Sequence, residues 1–347
     1  MIFKEILILP QSYKLASQFS SSINHASRDS WIIQITDVNN FKGYGEASPL
    51  PEFNSETFEM AGYALEGFKL AVSNSAEDFE IEELLILIEA HTYDASSACF
   101  ALQTAIYDIL SQQQKMSLSK YLNPNASSHL EINGLYQLTS HENYKFIKLK
   151  CGFRNLYDEL ELIQKLTDQY ESKVSFILDL NQNYDLSKAI RFLKEVSKFN
   201  IAYIEQPLKK DNFEDLIELR FHSKIPIALD ESVSDINSIN DILHYNAADI
   251  IVIKPQSIGN FTKIQKAVTL IRDAGKKVTI TSSLEGKIGR FASMHLAAAN
   301  QIENPCGLAL EKIFSHENSK FPLVDNGKIT VPQQYGLGCK EYKWITI

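Results

Sequence analysis

The spacing of hydrophobic positions changes about a third of the way along the chain. In the first part, short apolar stretches typical of strands come first, and stretches with helical spacing follow them. Strands and helices in separate runs predict an α+β domain, which we place at residues 1–125. The predicted strands cover residues 2–9, 31–36 and 41–48, and the predicted helices cover residues 55–72, 80–91 and 95–113.

From about residue 131 onwards, short apolar runs alternate with helical patterns. About eight β units separated by helices predict parallel strands, and that number suits a TIM-type (β/α) barrel better than an open sheet. We place this α/β domain at residues 126–315 and expect residues 316–347 to complete the first domain. The apolar runs are EINGLY, FIKLKC, SFILDLN, AYIEQP, IPIALDE, DIIVIKP, KVTITSS and, more weakly, the stretch after Pro305; the helical patterns cover 155–170, 186–198, 212–222, 235–243, 260–273 and 287–300.

Charged residues interrupt five successive apolar runs near their ends. In a parallel barrel the carboxyl ends of the strands meet at one mouth, where active sites are built. A single charge there is as well explained by a salt bridge at the barrel rim, but five runs with the same pattern favour a catalytic site. The charged residues are Lys148 and Lys150, Asp179, Glu205, Asp230 and Lys254.

Three of these residues are carboxylates on successive strands. Asp179, Glu205 and Asp230 are spaced by one β/α unit each, so they are predicted to be neighbours at the mouth. Three adjacent carboxylates repel one another unless a cation lies among them. Oxygen ligands without Cys or His predict Mg²⁺, with Mn²⁺ as the alternative.

Lysines flank the carboxylates on both sides. Lys148 and Lys150 share a face of the preceding strand by alternation, and Lys254 follows the next strand along. Two ammonium groups that lie close together lower each other's pKa, so one of them can act as a neutral base. A metal that binds a substrate carboxylate would acidify the neighbouring carbon. The pattern predicts abstraction of a proton next to a carboxylate.

Composition and the lengths of the apolar runs argue against nucleic-acid and membrane partners, and the small-molecule carboxylate substrate is predicted from the charged residues alone. The net charge of −9 argues against a nucleic-acid surface, and no apolar run is long enough to span a membrane. The N-terminal apolar run is short, is broken by Pro10 and has no cleavage site after it. The four cysteines are far apart, which is typical of a reduced, cytoplasmic protein. Self-association is left open by the sequence.

These motifs resemble those of the enolase superfamily, muconate-lactonizing-enzyme subgroup. The resemblance covers nearly the whole chain and implies a modified, enolase-like barrel with an N-terminal α+β capping domain. The matching motifs are KxK at Lys148 and Lys150, DxN at Asp179 and Asn181, EQP at Glu205, DES at Asp230 to Ser232, and KP at Lys254.

Within the subgroup, the chain is most similar to the o-succinylbenzoate synthases. The segments RDSWIIQI, GYGEASPLPEFNSET, ITSSLEGKIG and NPCGLA carry this likeness. It implies a lyase that dehydrates 2-succinyl-6-hydroxy-2,4-cyclohexadiene-1-carboxylate to 2-succinylbenzoate in menaquinone biosynthesis. Lys150 would be the base and then the acid, and Lys254 would stabilise the enediolate as a cation. Asp179, Glu205 and Asp230 would hold Mg²⁺.

The resemblance and position along the chain imply several further roles. Lys148 would tune Lys150, and Asn181 and Glu231 would lie behind the metal ligands. The GEASPLPEFNSET loop would close over the mouth. Ser282 and Ser283, with Gly307, would contact the succinyl arm, although capping of a strand end explains the serines equally well. Arg28 could meet a carboxylate, but we favour its interpretation as a solvated turn residue.

Two features keep a second reaction open. Some synthases carry an arginine two residues before the first metal ligand, and here that position is Ile177. The segment ASMHLAAA resembles the dipeptide epimerases of the same subgroup, so a dipeptide epimerase or N-acylamino acid racemase is the alternative. The epimerases carry a DxD pair near the last strand, whereas NPCGLALEKIF has only Glu311. This difference lowers the case for an epimerase.

Overall fold

A computed structural model describes most of the chain. The described residues are 1–16, 26–53, 55–73, 78–136, 143–171, 173–210, 212–308, 313–314 and 324–338.

An antiparallel sheet of three strands opens the fold, in the order β1-β2-β3. The long β1–β2 pair extends further than the apolar pattern predicts, because β1 continues through Pro10 opposite Trp31. A proline is tolerated there because β1 is an edge strand, whose outward side needs no partner. The strands are β1 (Phe3–Lys14), β2 (Ser27–Asp37) and β3 (Lys42–Ala47).

Helices cover one face of this sheet and give the cap its own hydrophobic core. Ile33 and Ile35 of β2 pack with Phe68 and Ile106 from two of the helices. The three longer helices agree with prediction to within a few residues at each end, whereas the five-residue α4 was not predicted. The helices are α1 (Phe58–Ser73), α2 (Ile81–His91), α3 (Ser96–Gln113) and α4 (Leu118–Leu122).

Seven parallel strands form the second domain in sequential order, β5 to β11. The sheet curls until its edges are joined by a short segment at 306–307. Cys306 bridges to Ile132 beside β5, and Gly307 bridges to Thr281 after β11, so this segment serves as the weakly predicted eighth unit. The strands are β4 (His129–Glu131), β5 (Asn133–Leu135), β6 (Phe146–Lys150), β7 (Ser175–Asp179), β8 (Ile201–Glu205), β9 (Ile227–Leu229), β10 (Ile250–Ile253) and β11 (Lys277–Ile280).

Helices surround the barrel and bury their apolar faces against the outside of the strands. Asp or Asn side chains at several helix starts accept backbone N–H groups, as Asp185 does from Lys188. The sequential parallel strands, the surrounding helices and the separate N-terminal sheet confirm the predicted TIM-type barrel with an α+β cap. The helices are α5 (Leu156–Gln169), α6 (Leu186–Val196), α7 (Phe213–His222), α8 (Ile236–His244), α9 (Pro255–Ile258), α10 (Phe261–Asp273) and α11 (Lys287–Ala299).

The last two described strands form a third small sheet with β4, which precedes the barrel strands. Strands β12 (Val324–Asp325) and β13 (Lys328–Thr330) form a hairpin, and β13 pairs with β4. The division at residues 125/126 and the completion of the cap by residues 316–347 remain predictions. Much of that last segment lies outside the described residues.

None of the described helices is long and apolar enough to cross a membrane. Cys99, Cys151 and Cys306 are buried free thiols, in agreement with the absence of a predicted disulfide framework. Cys339 lies outside the described residues.

Candidate active site

A pocket opens at the carboxyl ends of the barrel strands. The cap contributes Leu50 and Phe53 to its wall, so part of the predicted GEASPLPEFNSET loop does lie at the mouth. The other lining residues come from the barrel: Asn133, Leu135, Lys148, Lys150, Asp179, Asn181, Tyr203, Glu205, Asp230, Val252, Lys254, Thr279, Thr281, Ser282, Ser283, Leu284, Pro305 and Gly307.

Strand register explains why the charged residues meet. Lys150 is the register partner of Asp179, and Asp179 is the partner of Glu205 on the next strand. Asp230 directly follows β9, and its backbone N–H donates a hydrogen bond to the buried Oε1 of Gln206. The three carboxylates are almost completely buried. The predicted row of acids at one rim is therefore present in the structure.

Lys148 joins two of the carboxylates. Its Nζ lies 2.9 Å from Asp179 Oδ2 and 2.6 Å from Glu205 Oε1. Although burial by itself lowers the pKa of Lys148, the three carboxylates outweigh it and hold that pKa well above the ordinary value. The prediction that two close ammonium groups lower each other's pKa is therefore wrong for Lys148, because carboxylates are its nearest charged neighbours.

Lys254 and Lys150 differ in their surroundings. The buried ammonium group of Lys254 pairs with Asp230 and lies under the ring of Phe53, with 4.6 Å between Nζ and the ring centroid. Lys150 lines the pocket, and none of the described residues forms a hydrogen bond or ion pair with its ammonium group. Lys150 is the pocket lysine without a protein counter-ion in the described structure.

Asn181 and Glu231 lie together beside the carboxylates, as the resemblance implies. Asn181 Nδ2 donates to Glu231 Oε1 at 3.0 Å, and the Asn181 N–H donates to Asp179 Oδ1 at 3.1 Å. Burial and the nearby Asp230 raise the pKa of Glu231 above its usual range. Asn181 Oδ1 and Glu231 Oε2 are buried oxygens without a hydrogen-bond partner among the described residues.

The carboxylate oxygens of Asp179, Glu205 and Asp230 are ligands suited to a hard divalent cation. In the described part of the chain no three acidic, His or Cys side chains converge tightly enough to form a complete metal site; Lys148 and Lys254 contact the carboxylates instead. Even so, burial and the neighbouring Asp179 and Asp230 raise the pKa of Glu205, despite the opposing effect of Lys148. The excess of buried oxygen ligands, with no Cys or His in the group, is what Mg²⁺ prefers.

Ser282, Ser283 and Gly307 all line the pocket, but their side chains differ in what they can contact. Ser282 Oγ is engaged, since it donates to Glu285 Oε2 at 2.7 Å and accepts from the Leu284 N–H. The buried Ser283 Oγ has no described partner. Gly307 leaves room for Thr281, whose Oγ1 would be 2.3 Å from an added Cβ.

Arg28 is not a solvated turn residue, and that interpretation was wrong. Its side chain is buried, with 4% exposure, and donates to the carbonyl oxygens of Ser48, Pro49 and Ser283. The residue lies in β2, where its neighbours in sequence are polar, so the local pattern gave no sign of burial.

Sequence reasoning missed several pocket residues. Tyr203 lies two positions before Glu205, and strand alternation could have placed it on the same inward face. Phe53 and Leu50 were expected at the mouth only as members of the GEASPLPEFNSET loop, because an irregular loop has no period that points to individual residues. Asn133 and Thr281 were also missed.

The fold and the site agree with a family assignment. Residues 135–341 match the model of the family described as enolase C-terminal domain-like. The chain belongs to this family and is an enzyme of the enolase superfamily.

Individual relatives carry different reaction names. The chain is 26% identical over 355 residues to an o-succinylbenzoate synthase of Bacillus subtilis, covering 96% of this chain and 93% of the relative. It is also 26% identical over 294 residues to an L-amino acid-D/L-Glu epimerase of Francisella philomiragia, covering 81% and 82%. A substrate-liganded L-Ala-D/L-Glu epimerase from B. subtilis has the same fold, with a TM-score of 0.85, 21% identity and coverage of 97% and 98%.

Proposed function

We propose that this protein is an o-succinylbenzoate synthase-like lyase. The observation that carries the proposal is the placement of Lys150 and Lys254 in one pocket with the row formed by Asp179, Glu205 and Asp230. The substrate would be 2-succinyl-6-hydroxy-2,4-cyclohexadiene-1-carboxylate and the product 2-succinylbenzoate. This reaction would belong to menaquinone biosynthesis, and the likeness to the named synthases supports it.

Asp179, Glu205 and Asp230 would hold Mg²⁺, or Mn²⁺ as the alternative. When bound, the cation would supply positive charge for the negative charge that develops on the substrate carboxylate. Lys148 would stay protonated between Asp179 and Glu205, and so keep their orientation.

Lys150 would carry the proton through the reaction. As a neutral amine it takes the proton from the carbon beside the carboxylate, and it becomes an ammonium group. It then returns a proton to the departing hydroxyl, which leaves as water while the ring becomes aromatic. Lys254 remains a cation on the other side of the pocket, where its charge stabilises the enediolate. Its contacts with Asp230 and Phe53 support that charged state.

The wall opposite the carboxylates supports a lyase over a dipeptide epimerase. Its described side chains are apolar, hydroxyl or amide groups, such as Leu135, Thr281 and Ser283. A dipeptide's ammonium group would need a carboxylate there, and none of the described residues of this wall is acidic. Glu311 lies outside the described residues.

An assay for the aromatic product tests the proposal. Purified protein with Mg²⁺ and the cyclohexadiene substrate should form 2-succinylbenzoate, detected by absorbance, and neither Lys150→Ala nor chelated enzyme should do so. Absence of product with wild-type enzyme at micromolar concentration would refute the lyase.

An epimerase is the second candidate, because lysines on two sides of a substrate also suit deprotonation and reprotonation on opposite faces. Wild-type protein is incubated with a panel of dipeptides and N-acylated amino acids in heavy water. Exchange of the α-hydrogen, together with no aromatic product from the cyclohexadiene, would favour the epimerase or racemase.

A further inference from the structure

Four polar side chains are buried where the cap meets the barrel, beside the pocket and outside the set of carboxylates and lysines. Burying polar and ionisable groups is costly unless their polar atoms are paired. The hydrogen-bond partners of these side chains therefore show how the cap is joined to the barrel. The four are Arg28 and Glu46 from the cap and Gln256 and Glu285 from the barrel, and none is more than 4% exposed.

Glu46 links β3 to a barrel helix. Its two carboxylate oxygens accept the N–H of Gly286 at 2.6 Å and the N–H of Gly289 at 2.9 Å, at the start of α11. A carboxylate is favourable there because the first N–H groups of a helix lack partners within the helix. A Cβ at position 289 would lie 2.5 Å from Glu285 Cγ, so glycine there leaves room for the Glu285 side chain against the first turn of α11.

Gln256 links the segment of Lys254 to the same cap strand. It lies two residues after Lys254, and its Nε2 donates to the Glu46 carbonyl at 2.9 Å. Its Oε1 accepts the Ser48 N–H at 3.1 Å. The side chain therefore holds the backbone on both sides of residue 47, as a neighbouring strand would.

Arg28 ties the two walls of the pocket together. It donates to Ser48 and Pro49 at 2.9 Å each, just before Leu50, and to the carbonyl of Ser283 at 3.3 Å. The N–H of Ser283 in turn donates to Glu285 at 2.6 Å. The N–H and the carbonyl of Ser283 are therefore both held, while the residue lines the pocket.

We propose that Arg28, Glu46 and Gln256 form an interdomain clamp that positions the cap wall of the pocket against Ser283 and Lys254. These are positioning residues, and their effect on turnover rests on the function proposed above. Arg28 sets the wall that contacts the distal part of a carboxylate substrate. Gln256 sets the segment that carries Lys254.

The two roles predict different kinetic changes. Arg28→Met should raise KM about tenfold with a smaller change in kcat, and Arg28→Lys should recover part of the loss, since an amine still reaches one carbonyl. Gln256→Met should lower kcat about tenfold with little change in KM. The double variant should lose less than the two single losses combined, because both side chains act on residues 48–49. Equal kcat and KM in the wild type, Arg28→Met, Gln256→Met and the double variant would overturn the proposal.

Amide hydrogen exchange tests the clamp without any activity. In Arg28→Met, exchange should accelerate both at 48–53 and at 283–289, although residue 28 lies in neither segment. Glu46→Gln should accelerate exchange at Gly286 and Gly289. Arg220→Met is the matched control, because Arg220 pairs with Asp249 at the opposite end of the barrel and should leave both segments unchanged.

The two measurements separate failure of the clamp from failure of the proposed reaction. Coupled acceleration of both segments in a protein that makes no aromatic product would support the clamp and refute the lyase. Unchanged exchange in Arg28→Met and Arg28→Lys, with normal product formation by the wild type, would refute the clamp alone.

Discussion

Phe53 of the cap lies directly over Lys254 of the barrel, with 4.6 Å between Nζ and the ring centroid. A buried ammonium group is attracted to the face of an aromatic ring, and this interaction contributes about 0.5 to 2 kcal/mol. Phe53 therefore supports the charged form of Lys254 that the proposed mechanism uses, and it does so from a different domain.

Replacing the ring at position 53 should lower activity. Phe53→Leu is expected to reduce kcat/KM between about threefold and thirtyfold, since the cation–π interaction is lost while an apolar side chain remains. Phe53→Tyr, which keeps the ring, is the control and should stay close to wild type. Steady-state kinetics with the cyclohexadiene substrate measures both. Equal loss in the two variants would contradict this role.

The two lysines should respond differently to arginine. Lys150→Arg should lower kcat by about 10²-fold to 10⁴-fold, because a guanidinium group does not accept a proton near neutral pH. Lys254→Arg keeps the positive charge and should retain more activity than Lys254→Ala. Thermal unfolding of each variant serves as a check on folding. Full activity of Lys150→Arg would exclude it as the base.

Magnesium should stabilise the protein as well as activate it. A cation that binds the folded state and not the unfolded state raises the unfolding temperature, and the increase grows with the logarithm of the cation concentration relative to Kd. Addition of Mg²⁺ to chelator-treated protein should therefore raise the midpoint of thermal unfolding, and Asp179→Asn should abolish most of the shift. Asp241→Asn, on the surface of α8, should behave as wild type. A shift that persists in Asp179→Asn would place the cation elsewhere.

Substitutions of the two adjacent serines should have different effects, one mainly on KM and the other mainly on the free energy of unfolding. Ser283→Ala removes a buried hydroxyl that has no described partner, so the free energy of unfolding should hardly change while KM rises. Ser282→Ala removes two hydrogen bonds and should cost about 1 to 2 kcal/mol of unfolding free energy. Chemical denaturation and steady-state kinetics measure the two effects. Unchanged KM in Ser283→Ala would argue against a substrate contact.

His295 should make stability depend on acid pH. Burial lowers the pKa of this histidine from 6.5 to about 4, despite the hydrogen bond with Leu337. Between these pH values the unfolded state binds a proton at His295 and the folded state does not. The free energy of unfolding therefore decreases as pH falls from about 6.5 to 4. The loss amounts to at most about 3 kcal/mol.

Denaturation curves of His295→Gln across this range test the dependence, with the exposed His129→Gln as the control. Asp108 acts in the opposite direction, since burial raises its pKa from 3.8 to about 6. The test therefore compares the slope of unfolding free energy against pH in His295→Gln with the slopes in His129→Gln and wild type, since Asp108 affects all three equally. Parallel pH profiles for His295→Gln and wild type would show that His295 does not titrate in this way.

Much of the candidate site followed from the sequence because its residues lie at regular positions. Asp179, Glu205 and Asp230 end successive β units, and the parallel barrel brings such ends together whatever the details of packing. Lys150 was found for the same reason. The short helices α4 and α9 were not found, since one or two turns carry too little periodicity.

The remaining features depend on contacts between distant parts of the chain. Arg28 is buried because Ser48 and Ser283, 20 and 255 residues away, supply its acceptors. Likewise, carboxylates 31 and 57 residues away raise the pKa of Lys148, which proximity to Lys150 alone did not predict.

The sequence by itself determined the barrel, the order of its strands and the charged rim, because these depend on local periodicity. Only the tertiary structure decided how the cap meets that rim, with Phe53 over Lys254 and Arg28 against Ser283. The physical reason is that burial and electrostatic environment are set by neighbours in space, and those neighbours come from segments with no regular spacing along the chain.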